Sequence, residues 1–222
     1  MENQTLRVLF IGNSHTYYND MPYLFQQLAQ WASGAAVEVV LLAQGGWSLG
    51  QHLGEEERFN IRYGRYDYIV LQEVTHPFPG AEALLEQAGA LGAWIAHTGA
   101  RTVGYMTWAE QGRPEDRARL TEAFRALARE QDVLLAPVGL AFQSLRESGI
   151  GLYDADGRHA SPAGSYLAAC VLLAAILGED PAGLPGRITW QDETICDLEE
   201  GMARRLQEAA WQTVEAEHGR TD

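Results

Sequence analysis

Positive charge is scarce in this sequence. Its 222 residues include 16 Lys and Arg against 30 Asp and Glu, which gives a formal net charge of −14. A nucleic-acid-binding protein needs a basic surface to displace counterions from phosphates, and the sequence has no basic cluster of that kind. An acidic surface mainly favours solubility. We therefore expect no nucleic-acid partner and no anionic membrane surface as a target.

Long apolar runs and cysteines are also few. No run approaches the roughly 20 apolar residues that a membrane-spanning helix needs, so we expect no membrane partner. The apolar part of the opening segment MENQTLRVLF is too short and too soon interrupted for a signal peptide. The two cysteines are Cys170, in an apolar helical pattern that predicts a core position, and Cys196. Two cysteines without a secretory signal favour reduced thiols and a cytoplasmic location.

Repeats, low-complexity tracts and long linkers are absent as well. At 222 residues and 46% hydrophobic composition, the chain is long enough for one sizeable core. We expect a single domain over residues 1–222, with an amphipathic C-terminal helix from about residue 194. The apolar stripe of that helix fits packing on its own sheet or on a second copy, so the oligomeric state stays open.

Five short apolar runs rich in β-branched residues alternate with helical patterns. Near-continuous apolar strands are typical of a parallel sheet that is covered on both faces. The pattern predicts an α/β fold, a three-layer α/β/α sandwich with a five-stranded parallel sheet of the flavodoxin-like kind. The predicted strands are 6–11, 37–42, 66–72, 101–106 and 132–138, and the predicted helices are 21–31, 81–97, 114–129, one capped by Ser161, and 194–217.

Polar residues that could take part in catalysis or ligand binding follow these strands. In such folds, ligands bind outside the carboxyl ends of the strands, where the strand order reverses. The residues expected at this edge are, in chain order, Asn13, Ser14, His15, Gly45, Gly46, Trp47, Gln72, His76, Trp108, Asp156 and His159. They span most of the chain, yet the predicted sheet brings them to one place.

Ser14 is a candidate nucleophile. A serine hydroxyl needs a base to accept its proton, and the base needs a group that orients it. His159 is the candidate base, and Asp156, three residues earlier across an Asp-Gly-Arg-His turn, is its candidate partner. Asp154 remains an alternative acid. His15 directly follows Ser14 in the sequence, but adjacent side chains in a tight turn point apart. We therefore interpret His15 as part of the wall of the site.

Acyl transfer also needs hydrogen-bond donors for the developing oxyanion. The N–H of Ser14 is one candidate. Gly46, or else Gly45, is the second, because glycine lets the backbone approach a ligand closely. The uncharged side-chain amide of Gln72 is the third.

These residues resemble the SGNH (GDSL-type) hydrolase superfamily. The sequence GNS at residues 12–14 is similar to its Gly-Asp-Ser block, the Gly45-Gly46 turn to its glycine block, and DGRHASPAGSYLAA at residues 156–169 to its Asp-x-x-His block. The resemblance implies that Ser14 is the nucleophile, His159 the base and Asp156 its partner. It also implies an oxyanion hole made by the serine N–H, a glycine N–H and an asparagine side chain.

The sequence departs from that family in two places. Asn13 replaces the usual aspartate of the first block, and the third block, usually Gly-x-Asn-Asp, is matched by the strand end LQEVTH at residues 71–76. We therefore predict that Gln72 replaces the asparagine of the family.

The remaining polar and aromatic residues receive plainer interpretations. Asn13, His15, Trp47, His76 and Trp108 are predicted to line the substrate pocket. The acidic and histidine residues match no compact metal-ligand spacing, so we expect no metal. The run of three glutamates at residues 55–57 is interpreted as a solvated helix face.

The sequence thus predicts a serine esterase that cleaves a small carboxylic ester through an acyl-enzyme, without a cofactor. An O-acetyl group on a carbohydrate or small metabolite is the substrate class that we favour. Two alternatives stay open. One is a non-catalytic flavodoxin-like module that holds a small anion or nucleotide, and the other is a degenerate hydrolase that keeps the triad without turnover.

Overall fold

One sheet of five parallel strands organises the protein, whose computed structural model describes residues 5–219. The strands are β1 (Leu6–Gly12), β2 (Val37–Ala43), β3 (Tyr68–Leu71), β4 (Arg101–Tyr105) and β5 (Leu134–Ala136), in the spatial order β2-β1-β3-β4-β5. Because the chain runs outward from β1 in both directions, the strand order reverses there. A crevice for ligands is therefore expected at the carboxyl end of β1.

Helices cover both faces of this sheet, which confirms the predicted three-layer sandwich. The helices are α1 (Ser14–Tyr17), α2 (Met21–Ser33), α3 (Glu55–Tyr63), α4 (Ala81–Ile95), α5 (Asp116–Gln131), α6 (Val138–Ser144), α7 (Pro162–Leu177) and α8 (Glu200–His218). One apolar core lies between the sheet and α2, α6, α7 and α8. A second core lies on the other face, against α3, α4 and α5. No helix within residues 5–219 has both the length and the apolar character needed to cross a bilayer.

Helix α7 is the most deeply buried helix of the first core. Every residue from Ala163 to Ile176 is buried, including Cys170, whose predicted core position is confirmed. The helix begins where predicted, because the Ser161 hydroxyl accepts the N–H of Gly164 at 3.1 Å and Pro162 occupies the first helical position. This fixed start places the preceding loop, residues 153–160, at the carboxyl edge of the sheet.

Two predicted boundaries were wrong. The C-terminal helix does not begin near residue 194: residues there form β7 (Glu193–Asp197), which pairs with β6 (Arg187–Trp190) in an antiparallel hairpin, and α8 begins only at Glu200. The side chain of Cys196 packs inward beside Ile188, so apolar spacing at this point reflects a strand face. The fifth strand ends early at Ala136, because Pro137 has no N–H for the sheet and α6 follows at once.

Candidate active site

The carboxyl end of β1 turns sharply into α1 at Ser14. Asn13 caps this helix, since its side-chain oxygen accepts the N–H of His15 at 3.0 Å. Its side-chain nitrogen donates to the C=O of Trp47 at 2.9 Å. An aspartate could accept the first bond but could not donate the second. Asparagine at this position therefore ties the serine turn to the glycine turn after β2.

Gln72 holds the same turn from the neighbouring strand. Its side-chain oxygen accepts the N–H of Asn13 at 2.8 Å and the hydroxyl of Thr16 at 2.9 Å. Gly12 is required below it, because an added Cβ would lie 2.5 Å from the Thr16 hydroxyl and 2.6 Å from the Gln72 oxygen. The backbone that presents Ser14 is thus fixed by a fully buried amide.

Ser14, His159 and Asp156 form a continuous hydrogen-bonded chain. The Oγ of Ser14 lies 2.8 Å from Nε2 of His159, and Nδ1 of the same ring lies 2.6 Å from Oδ2 of Asp156. The other oxygen of Asp156 accepts the N–H groups of Arg158 at 2.8 Å and His159 at 2.9 Å. Partial burial opposes ionisation of Asp156, but these hydrogen bonds outweigh it and hold its pKa well below the usual range.

The imidazole of His159 is held between other rings. It stacks on Tyr18 with centroids 4.0 Å apart and an interplanar angle of 10°, and the ring of His15 lies 5.0 Å away. The loop that carries it is anchored on both sides. Trp108 donates its indole N–H to the C=O of Arg158 at 2.8 Å, and Asn19 donates to the C=O of Ala160 at 2.8 Å. The orientation of the ring is therefore fixed before any ligand binds.

His15 and His76 form a buried pair beside this ring, with centroids 4.8 Å apart. The Nε2 atom of each is buried and has no hydrogen-bond partner within the part of the chain that the structure describes. Burial, reinforced for His15 by His76 and His159, lowers the pKa of His15 to about 3, and burial lowers that of His76 to about 4. Both rings are therefore neutral near pH 7 and would not repel an imidazolium on His159.

The predicted oxyanion donors differ in their surroundings. No hydrogen bond engages the N–H groups of Ser14, Gly45 or Gly46 within residues 5–219. Gly46 has a φ of 76° in an exposed turn that is closed by a bond from the Trp47 N–H. The amide nitrogen of Gln72, in contrast, already donates to the C=O of Glu73 at 2.5 Å. Its role as the third donor stays a prediction.

The other predicted pocket residues lie around this centre at different depths. Trp108 is 2% exposed and stacks on Phe142 with centroids 4.0 Å apart, so it supports the histidine loop from behind. Trp47 is partly exposed beside the glycine turn. Among residues 5–219, no group of three or more His, Cys, Asp or Glu side chains is placed to hold a metal ion.

A buried hydrogen-bonded pair of His52 and Glu57, beneath the serine turn, was missed by the sequence analysis. Nε2 of His52 lies 2.8 Å from the C=O of Gly12, and Nδ1 lies 2.9 Å from Glu57. The solvated helix face predicted for residues 55–57 is therefore wrong at Glu57, which is 8% exposed. The first turn of α3 packs back against the loop after β2. Only the five-residue spacing of His52 and Glu57 hinted at this contact.

Glu73 is a second buried acid that the sequence analysis did not identify. One carboxyl oxygen accepts the N–H of Val74 at 2.6 Å and that of Leu49 at 3.2 Å, while the other has no partner among the described residues. Burial raises its pKa to about 7, although these two bonds act in the opposite direction. The carboxyl is thus easier to protonate in the folded protein than in the unfolded chain.

The pH dependence of stability is expected to reveal this carboxyl. Because the folded pKa of Glu73 exceeds the unfolded value, its contribution is complete below about pH 4.5 and is lost as the pH rises through about 7. Relative to Glu73→Gln, wild type should lose about 3 kcal/mol of unfolding free energy between pH 4.5 and pH 8.5. Urea denaturation of both proteins measures this, with Glu82→Gln, at an exposed position of α4, as the control. Parallel pH profiles for wild type and Glu73→Gln would contradict it.

Solved structures place this fold among known proteins. No family model and no curated protein sequence matches the chain. A DUF4886 family protein from Bacteroides uniformis is 18% identical, with a TM-score of 0.77 over 95% of each chain. A member of the lipolytic protein G-D-S-L family from Veillonella parvula is 13% identical, with a TM-score of 0.60 over 78% of this chain and 98% of its own.

A third similar structure is a mutant of Axe2, an acetyl-xylooligosaccharide esterase from Geobacillus Stearmophilus. It is 16% identical, with a TM-score of 0.60 over 78% of this chain and 93% of its own. Identities this low establish the fold alone. The chain has the fold of the G-D-S-L lipolytic proteins, the SGNH hydrolase fold that its sequence motifs predict.

Proposed function

We propose that the protein is a serine esterase that hydrolyses a small carboxylic ester through an acyl-enzyme. The observation that carries the proposal is the hydrogen-bonded chain from the Ser14 hydroxyl through His159 to Asp156. A serine alone would be a weak nucleophile, but this arrangement supplies the base and the group that orients it. The esterase and lipolytic proteins of the same fold support the assignment.

The first half of the reaction forms the acyl-enzyme. The Oγ of Ser14 attacks the ester carbonyl carbon while Nε2 of His159 takes the hydroxyl proton. The carboxylate of Asp156 stabilises the imidazolium, and the N–H groups of Ser14 and Gly46, or else Gly45, hold the oxyanion, with Gln72 as the proposed third donor. Collapse of the tetrahedral intermediate breaks the C–O bond, and the leaving alcohol takes the proton from His159.

The second half releases the acid. A water molecule gives its proton to Nε2 of His159 and attacks the acyl carbon on Ser14. The second tetrahedral intermediate expels the serine oxygen, which recovers its proton from the imidazolium. Ester and water are thereby converted to alcohol and carboxylic acid, and every group that moves a proton belongs to this chain or to water.

The substrate class that we propose is a short acyl ester, such as an O-acetyl group on a carbohydrate or small metabolite. Two features support it. The glycine turn beside Ser14 is exposed, so a bulky alcohol has room on that side. The Axe2 protein, an acetyl-xylooligosaccharide esterase, has the same fold.

A fluorophosphonate probe tests the assignment directly. An activated serine should take one adduct per chain, seen by intact-mass spectrometry and mapped to the peptide that contains Ser14. Turnover of p-nitrophenyl acetate should accompany it. An adduct without turnover would favour a degenerate hydrolase. Neither adduct nor turnover, together with absorbance of a co-purified flavin or nucleotide, would favour a binding module.

A further inference from the structure

A cavity of about 360 Å³ lies behind the histidine loop, bounded by the segment after β4, by α6 and by residues 150–153. Its volume is in the range of small-molecule sites. Neither Ser14 nor His159 lines it, so it is separate from the place where the ester would react. We call it the arginine cavity, after the two arginines that line it, Arg117 and Arg146.

Among the described residues, no acidic side chain pairs with either of those two arginines. Arg117 belongs to the first turn of α5, and Arg146 follows α6. Within residues 5–219, neither guanidinium makes an ion pair or a side-chain hydrogen bond. This is notable in a chain with 30 acidic and only 16 basic residues. A guanidinium presents paired N–H donors that match the geometry of a carboxylate.

The one acid that lines the cavity is already engaged. Glu110 lies 3.1 Å from the guanidinium of Arg158 and 3.5 Å from Nδ1 of His76. It is therefore held toward the histidine loop, and the charges left for a ligand are the two arginines. An anionic group would be attracted to this position even though the protein as a whole repels anions.

The remainder of the wall is mixed, with Gln111 and Gln143 lying among apolar residues. The rings of Trp108 and Phe142 are stacked in parallel, and Tyr153 meets Phe142 edge-on with centroids 5.6 Å apart. Leu145 and Ile150 add aliphatic surface. Trp108 and Phe142 are only 2% and 3% exposed, so the apolar part of a ligand would contact mainly Ile150 and Tyr153, which are partly exposed, while its charge reaches the arginines.

We propose that the arginine cavity binds a small carboxylate with an apolar body, at a site distinct from the proposed ester site. A ligand here would rest on the groups that hold the histidine loop. Trp108 donates to the C=O of Arg158, and Gln111 donates its N–H to the C=O of Gly157 at 2.9 Å. The hydroxyl of Tyr153 donates to the C=O of Ala109 at 2.9 Å.

Isothermal titration with benzoate tests the site. Benzoate should bind wild type, and the Arg117→Gln/Arg146→Gln double variant should weaken its affinity about tenfold or more, because two charge-assisted contacts are lost. Arg187→Gln/Arg204→Gln is the matched control. It removes the same charge from exposed ion pairs elsewhere and should bind like wild type. Thermal unfolding should show that both double variants are folded, since Arg146, Arg187 and Arg204 are exposed and Arg117 is only partly buried.

Two further titrations test whether binding needs the ligand's charge and whether it is independent of the proposed ester site. Benzamide, which has the same shape without the charge, should bind at least about tenfold more weakly than benzoate. Ser14→Ala should bind benzoate like wild type, so the site can stand even if the proposed esterase function fails. Equal affinity of both double variants, equal affinity for benzamide, loss of benzoate binding in Ser14→Ala, or no binding at tens of millimolar benzoate would each overturn it.

Discussion

Replacement of Ser14 by alanine is expected to lower kcat for ester hydrolysis by about 10⁴-fold or more. The hydroxyl is the atom that would form the acyl-enzyme, and no other hydroxyl accompanies it on Nε2 of His159 among the described residues. The fold should persist, because the hydrogen bonds that shape the turn come from Asn13 and Gln72 rather than from the Ser14 side chain. The effect should therefore fall on turnover and not on stability.

Turnover of p-nitrophenyl acetate and the fluorophosphonate adduct measure this change together. Both should disappear in Ser14→Ala. Ser33→Ala is a matched control, because its hydroxyl lies in α2, where it donates to the C=O of Ala29 and accepts the N–H of Ala35, and the variant should keep wild-type turnover. If Ser14→Ala kept more than about a tenth of the activity, another group would have to be the nucleophile.

The meeting of Ser14 and His159 could be anticipated from the predicted sheet and from the position of the histidine just before the helix capped by Ser161. Parallel strands end at one edge, so residues far apart in sequence, such as Ser14 and His159, were expected to meet there. The structure brings them to 2.8 Å across 145 positions. The spacing of Asp156 and His159 is local, and a three-residue turn carries that contact with little help from the rest of the fold.

The residues that hold this geometry were harder to foresee. Gln72 reaches the serine turn across 59 positions, and His52 reaches Gly12 across 40, so neither contact leaves a periodic trace in the sequence. Glu57 stands in a run of three glutamates, and nothing in the run distinguishes the one that is buried. Burial of a polar side chain depends on which partner the fold brings to it, and a single sequence does not display that partner.

The wrong prediction that the C-terminal helix begins near residue 194 has a different origin. Apolar residues three positions apart, such as Ile195 and Leu198, suit one face of a helix, yet the chain between them is extended and then turns before α8. The hairpin of β6 and β7 allows Ile188 and Cys196 to pack beneath α7 and α8. Tertiary packing decided the local structure here, and a short apolar pattern could not.

Replacement of Asp156 by asparagine is expected to lower kcat/KM for ester hydrolysis by about 10⁴-fold. The carboxylate accepts from Nδ1 of His159 and so leaves Nε2 free to accept the Ser14 proton. An amide oxygen can still accept the two backbone N–H groups, but its NH₂ would then face Nδ1. That favours the tautomer with hydrogen on Nε2, which cannot act as a base toward serine.

Asp154→Asn is the matched comparison, because Asp154 is the rival acid in the same loop. Its side chain accepts only the N–H of Ala155, at 2.8 Å, a bond that an asparagine oxygen keeps. Its backbone bonds to Gly157 and His159 do not depend on the side chain. We expect less than about a threefold loss of kcat/KM in Asp154→Asn. Equal losses in the two variants would mean that both acids maintain the structure of the loop and that neither is needed to orient the imidazole. A larger loss in Asp154→Asn would transfer the role of the triad acid to Asp154.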